Sequence, residues 1–228
     1  EMLHCLRKTD VSTYTHSLNV AILCRLMGRW MHFSKEDVDT LTLCGLLHDI
    51  GKTKTPKNIL LKPGKLTGEE FAVIKLHPLN GYEILKKLPL DSRIKRAALM
   101  HHERCDGTGY PLGLMQEEID PFAVIVSIAD VYDAMTTDRC YREAICPFTV
   151  IETFEKQGFH KYSSSYMSTF LNHVVDIYMD YHVVLNNGCC GQIVLKNQQC
   201  LARPTIYLPT KEFLDLSKHP ELNIKEIM

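Results

Sequence analysis

The stretch LTLCGLLHDIGK, residues 41–52, decides how the rest of this chain is read. It runs as an apolar helix that stops on an adjacent His48-Asp49 pair. A charged Asp buried there without a partner would cost several kcal/mol, on the order of 2–7 even for a neutral polar group. The pair therefore needs a cap, a partner or a cation. Lys52 lies three residues after Asp49 and faces the same side if the turn continues. Taken alone, it reads as an ordinary surface lysine completing a helix C-terminus, where the dipole favours it.

Outward from this point the pattern recurs. His101-His102 ends a second helical stretch. Consecutive helical residues diverge by about 100°, so such a pair reaches two cations, or opposite sides of one, better than it chelates one ion alone. Asp130 lies inside AVIVSIADVYDAM (123–135), with Asp133 one turn on. By itself Asp130 reads as a structural ion pair, and His16 and His77 singly read as packed or capped helical histidines. Jointly, five histidines and two aspartates at apolar helix ends or interiors suit one oxygen- and nitrogen-rich metal centre.

Periodicity predicts helices over 11–31, 36–50, 69–87, 91–103, 117–138, 147–158 and 163–180. Asp10 or Ser12 would cap the first and Ser34 the second, with Gly51 marking the second helix's end. A connection rich in turn residues (Pro56, Pro63, Gly64, Gly68) follows. Thr67 and Glu70 are spaced as a capping box, and Pro89 ends the helix they open. DGTGYPLG (106–113) is a loop. VVLNNGCCGQIVLKN (183–197) reads as two strands around a turn, and PTIYL (204–208) as a third. The expected fold is mainly α: a helical bundle over 1–181 with a short C-terminal β-rich appendage, 182–228, of the same domain.

Composition removes several classes. The 228 residues carry 26 Lys+Arg against 27 Asp+Glu, a net charge of −1. That balance argues against holding a nucleic-acid polymer or anionic lipid by bulk electrostatics. The nine cysteines are odd in number and lack a C-x-x-C pair, so free, mostly buried thiols in a reducing cytosol are expected rather than disulfides or thiolate zinc. The apolar run 18–31 is interrupted by Arg25 and Arg29 and is too short to span a bilayer. The first residue is Glu1 rather than Met, which suggests a piece of a longer protein and leaves room for an N-terminal regulatory domain.

His48-Asp49-Ile50-Gly51-Lys52 resembles the HD signature of metal-dependent phosphohydrolases, and HHERCDGTGYP (101–111) resembles the extended motif of the HD-GYP subfamily. TYTHSLNVA (13–21) and IADVYDAMTTDRCYR (128–142) agree in order, so the resemblance spans 9–142. It implies an HD-domain helical bundle and a cytoplasmic bacterial phosphodiesterase that hydrolyses cyclic di-GMP to pGpG or GMP, some members acting on cyclic GMP-AMP. It further implies two divalent ions: one held by His16, His48, Asp49 and Asp130, the other by Asp49, His77, His101 and His102. Lys52 would contact the scissile phosphate, and Arg139 and Arg142 the substrate phosphates. Asp106, Gly107, Gly109, Tyr110 and Pro111 would form the motif loop. Three-metal members carry Glu where this chain has Ser12, so two ions are expected. Iron or manganese is the leading choice, nickel and zinc suiting the same ligands. A homodimer is the analogous assembly. The alternatives are a cyclic GMP-AMP phosphodiesterase, a cyclic-dinucleotide-binding module with little turnover, and a mononucleotide HD hydrolase, which the GYP motif disfavours.

Overall fold

Asp10 caps the first long helix, its carboxylate accepting the backbone N–H groups of Ser12 and Thr13 at 3.0 Å each, at the head of α1 (Val11–Trp30). The computed structural model describes residues 7–138 and 143–228. Ser34 caps α2 (Lys35–Leu47). Gly45 lets α2 pack closely on α1, since a Cβ there would lie 3.0 Å from the Ala21 Cα.

The expected second helix ends early. After Leu47 the chain passes through His48 and Asp49 into a 3-10 turn (Ile50–Lys54), and Gly51 sits inside that turn rather than closing α2. The short α3 (Lys57–Leu60) falls within the turn-rich connection.

The helix expected over 69–87 divides into α4 (Gly68–Ile74) and α5 (His77–Leu85). The capping box at its start is present, with Thr67 and Glu70 exchanging both hydrogen bonds. Pro78 explains the break: it has no N–H to give the Ile74 carbonyl four residues back. That carbonyl instead accepts the His77 Nδ1–H at 2.8 Å. α6 (Ser92–Met100) and α7 (Pro121–Thr136) complete this part of the bundle. Residues 122–130 of α7 are all buried, as befits a helix apolar on every side.

The chain divides into two compact units, Glu1–Glu143 with Lys161–Ser163, and Ala144–His160 with Ser164–Met228. The second holds most of α8 (Pro147–Lys161), α9 (Ser164–Ile177) and a five-stranded antiparallel sheet. Its strands are β1 (His182–Leu185), β2 (Cys190–Leu195), β3 (Thr205–Tyr207), β4 (Phe213–Asp215) and β5 (Ile224–Ile227), ordered β4-β3-β2-β1-β5. The expected three strands are there, and β4 and β5 extend the sheet at both edges. The sheet's buried side chains include Val183, Leu185, Ile193, Ile206 and Ile224, and α8 and α9 bury Phe154 and Phe170 edge to face. This confirms a mainly helical bundle with a C-terminal β-rich part. Among the described residues no helix is long and apolar enough to cross a membrane.

Candidate metal centre

Helix ends leave their last carbonyls without intrahelical donors, and three histidines use them. His48, just past α2, donates Nδ1–H to the Gly45 carbonyl at 2.7 Å. His101, just past α6, donates to the Ala98 carbonyl at 3.0 Å. His77 does the same to Ile74 at the α4–α5 break. In a neutral imidazole a donating Nδ1 leaves Nε2 with a lone pair, so backbone structure fixes which nitrogen faces the centre.

Asp49 lies at the middle and is 1% exposed. Its Oδ1 is 3.2 Å from His77 Nε2 and 3.9 Å from His101 Nε2. Its Oδ2 is 3.3 Å from His48 Nε2, 4.0 Å from His16 Nε2 and 2.6 Å from Lys52 Nζ. One carboxylate thus turns an oxygen to each of two donor groups. Asp49, His77, His101 and His102 bring ligand atoms within 4.8 Å of one another, and so do His16, His48 and Asp130. All seven expected residues therefore meet in one place.

Electrostatics separate them. Burial alone would raise the Asp49 carboxyl, yet the Lys52 ammonium and His48 hold it well below the usual range. Burial is likewise overcome at Asp130, which His16 keeps ionised. Burial opposes charge on His16 too, but the hydrogen bonds it gives to the Asp130 and Asp133 carboxylates raise it to about 9. Burial pushes His102 down to about 3, and burial together with the neighbouring histidines pushes His101 well below its ordinary value. His101 and His102, held neutral, thus lie beside the ionised Asp49 and Asp130, and neutral imidazole with carboxylate is a donor set that divalent first-row ions take.

Two further observations fit such ions. His48 Nε2 is buried and lacks a hydrogen-bond partner, although buried polar atoms are rarely left so. His77 Nε2 and His101 Nε2 lie 3.1 Å apart while both Nδ1 atoms are committed to carbonyls, so when both rings are neutral two lone pairs face one another. A cation relieves both conditions. No cysteine enters either cluster; among the described residues Cys24, Cys44 and Cys105 are buried free thiols, Cys146 and Cys200 are half-buried, and Cys189 and Cys190 are exposed. The expectation of free thiols therefore holds there, while burial is less general than expected.

The motif loop closes one side. Asp106 accepts the Thr108 backbone N–H and hydroxyl at 3.1 and 2.6 Å, and Gly107 has φ +75°. Gly109 allows the loop to lie against the chain at residues 103–104, where a Cβ would fall 2.4 Å from the Glu103 Cα. Tyr110, just before Pro111, stacks on His102 with centroids 4.6 Å apart. Arg139 and Arg142 lie outside the described residues.

Sequence reasoning passed over two residues. Asp133 Oδ2 accepts the His16 Nδ1–H at 2.6 Å, both groups being buried. Its signal was a second acid one turn after Asp130 in an otherwise apolar helix. Glu103, 2% exposed, accepts the backbone N–H groups of Leu112 and Leu114 at 2.7 and 3.0 Å and so ties down the motif loop. Nothing in its local sequence distinguishes it from a solvated glutamate. Ser12 is exposed one turn before His16 and lines the same cavity, of about 940 Å³, as His16, Lys52, His77, His102 and Tyr110.

Comparison with known proteins places the chain in a family. The HD domain family matches residues 2–165. The chain is 45% identical over 143 residues to the cyclic di-GMP phosphodiesterase PA4108 of Pseudomonas aeruginosa, covering 60% of this chain and 34% of that protein. It is 42% identical over 130 residues to 3′3′-cGAMP-specific phosphodiesterase 1 of Vibrio cholerae, covering 57% and 30% respectively. The chain therefore spans about a third of the length of these relatives. The HD domain of the L. monocytogenes phosphodiesterase PgpH superposes with a TM-score of 0.57 at 19% identity, over 78% of this chain and 99% of that one, a likeness of fold.

Proposed function

The chain belongs to the HD-domain family, and from that premise we propose that it is a metal-dependent phosphodiesterase hydrolysing a cyclic dinucleotide, cyclic di-GMP foremost. The observation that carries this reading is the Asp49 carboxylate, each oxygen facing a separate histidine cluster beside Lys52 and an open cavity. His16, His48 and Asp130 would hold one divalent ion and His77, His101 and His102 the other, with Asp49 between them. Such ions supply Lewis acidity and activation of water near neutral pH. Iron or manganese is our first choice, and two ions rather than three because Ser12 offers only a hydroxyl.

The chain's own groups do the rest. Lys52 presents its ammonium to a non-bridging phosphoryl oxygen, where negative charge grows as the bond to the departing 3′ oxygen breaks. Asp133 holds the His16 Nδ1–H and so keeps Nε2 turned to the ion, the supporting role that outer carboxylates play for metal-bound histidine. Accordingly, Asp133→Asn should weaken metal binding about 10- to 100-fold, read by titrating metal into chelator-stripped protein. Unchanged affinity would remove Asp133 from this role.

The similarity to a cGAMP-specific enzyme supports a second reading, in which cyclic GMP-AMP is the preferred substrate. Product chromatography with both dinucleotides, on protein whose metal has been quantified, decides between them. Lys52→Ala should lower kcat by about 10²- to 10³-fold, the scale of losing one transition-state donor, with metal content retained. Both dinucleotides bound yet intact on metal-loaded protein would leave a binding module instead of an enzyme.

A further inference from the structure

The cavity beside Lys52 is larger than hydrolysis of a phosphodiester bond requires. At about 940 Å³ it lies at the upper end of small-molecule sites. His16, Lys52, His77 and His102 form part of its lining, and much of the remainder comes from residues 59–74. Phe71 projects from α4 into this lining and is 46% exposed. It occupies the N4 position, where a hydrophobic staple with Leu66 is common, but a staple leaves its exposure unexplained.

The surroundings of Phe71 are ordered by charge and aromatic faces. Lys75 places its ammonium 5.0 Å from the Phe71 ring centroid and 5.2 Å from that of Tyr110. Tyr110 in turn stacks on His102. A continuous row therefore leads from a metal-centre histidine through Tyr110 and Lys75 to Phe71. A cation over a ring holds it in place, and both rings line the cavity. Aromatic side chains in a cavity with a cationic floor are how proteins take a base and its phosphate together.

We propose that Phe71, braced through Lys75 against Tyr110, is the nucleobase platform of this site, stacking a purine while the attached phosphodiester lies at Lys52. This rests on the reading of the site as one for a cyclic dinucleotide. It identifies Phe71 as a determinant of substrate binding rather than of the chemical step.

Phe71→Ala should raise KM for cyclic di-GMP roughly 5- to 100-fold, the range that loss of one base–aromatic stack gives, with kcat at saturation falling much less and metal content unchanged. Phe71→Tyr should restore KM. The sequence has a single tryptophan, Trp30, so Phe71→Trp adds one assignable fluorophore. Cyclic di-GMP added to the chelator-stripped variant should quench its added fluorescence, and inorganic phosphate should not. Active protein with unchanged KM in Phe71→Ala and no quenching in Phe71→Trp would overturn the platform and leave the phosphodiesterase reading standing. Quenching by cyclic di-GMP with no hydrolysis by the metal-loaded wild type would do the reverse.

Discussion

Asp49→Ala should yield a chain that loses at least one of the two proposed metal ions and falls about 10³-fold or more in the proposed phosphodiesterase rate. The size follows from the position of this one carboxylate. Its two oxygens approach four imidazoles and Lys52 within 4.0 Å, so truncation takes a donor from both clusters together. It also leaves the Lys52 ammonium without its partner at 2.6 Å. Lewis-acid stabilisation by a metal is worth several kcal/mol, and each ~1.4 kcal/mol is tenfold in rate. Elemental analysis and initial rates on one preparation give both readings. A variant that kept two ions per chain and the wild-type rate would show that Asp49 does not join the clusters. Asp49→Asn sharpens the test, because it keeps the shape while removing the charge and turning one acceptor oxygen into an amide donor.

The candidate metal centre was legible because its chemistry breaks local rules. Adjacent titratable residues at helix ends, as at His48-Asp49 after an apolar run and at His101-His102, conflict with burial unless something compensates them. The conflict is visible in one dimension. Asp130 was visible for the same reason inside α7. Asp133 breaks the same rule, but its partner His16 is 117 residues away, and no local pattern pairs them. Glu103 was invisible because its partners are backbone N–H groups of a loop, which carry no side-chain signature.

The fold divides along similar lines. Caps at Asp10, Ser34 and Thr67 depend on three or four neighbouring residues and were readable. The break between α4 and α5 was signalled by Pro78, but the Thr67–Glu70 capping box and Pro89 read as the two ends of one helix. Strands β4 and β5 contain only FLD and IKEI. Segments so short carry too little alternation to be read. They become strands because β3 and β1 offer them unpaired edges, which is tertiary information.

Gly51→Ala should be the most damaging change of a single methyl group in the chain. Gly51 has an ordinary φ, so what it supplies is space. A Cβ there would lie 1.9 Å from the His77 carbonyl oxygen and 2.4 Å from the Gly81 nitrogen, both backbone atoms. Neither can rotate away, so the 3-10 turn and α5 must separate. That contact sets the 3.2 Å approach of His77 Nε2 to Asp49 Oδ1, and separating the elements should loosen the cluster of Asp49, His77, His101 and His102. The group of His16, His48 and Asp130, which takes nothing from α5, should suffer less. We therefore expect a stability loss of about 3 kcal/mol, the upper range for overpacking, and metal content falling towards one ion per chain. Gly68→Ala is the matched control: nothing lies within 4 Å of its Cβ, and at the first position of α4 it should be neutral or stabilising by about 0.4–1 kcal/mol. Denaturant midpoints and metal stoichiometry for the two variants decide the matter. If Gly51→Ala matched the wild type in both, the packing of the turn on α5 would not be what sets the distance between Asp49 and His77.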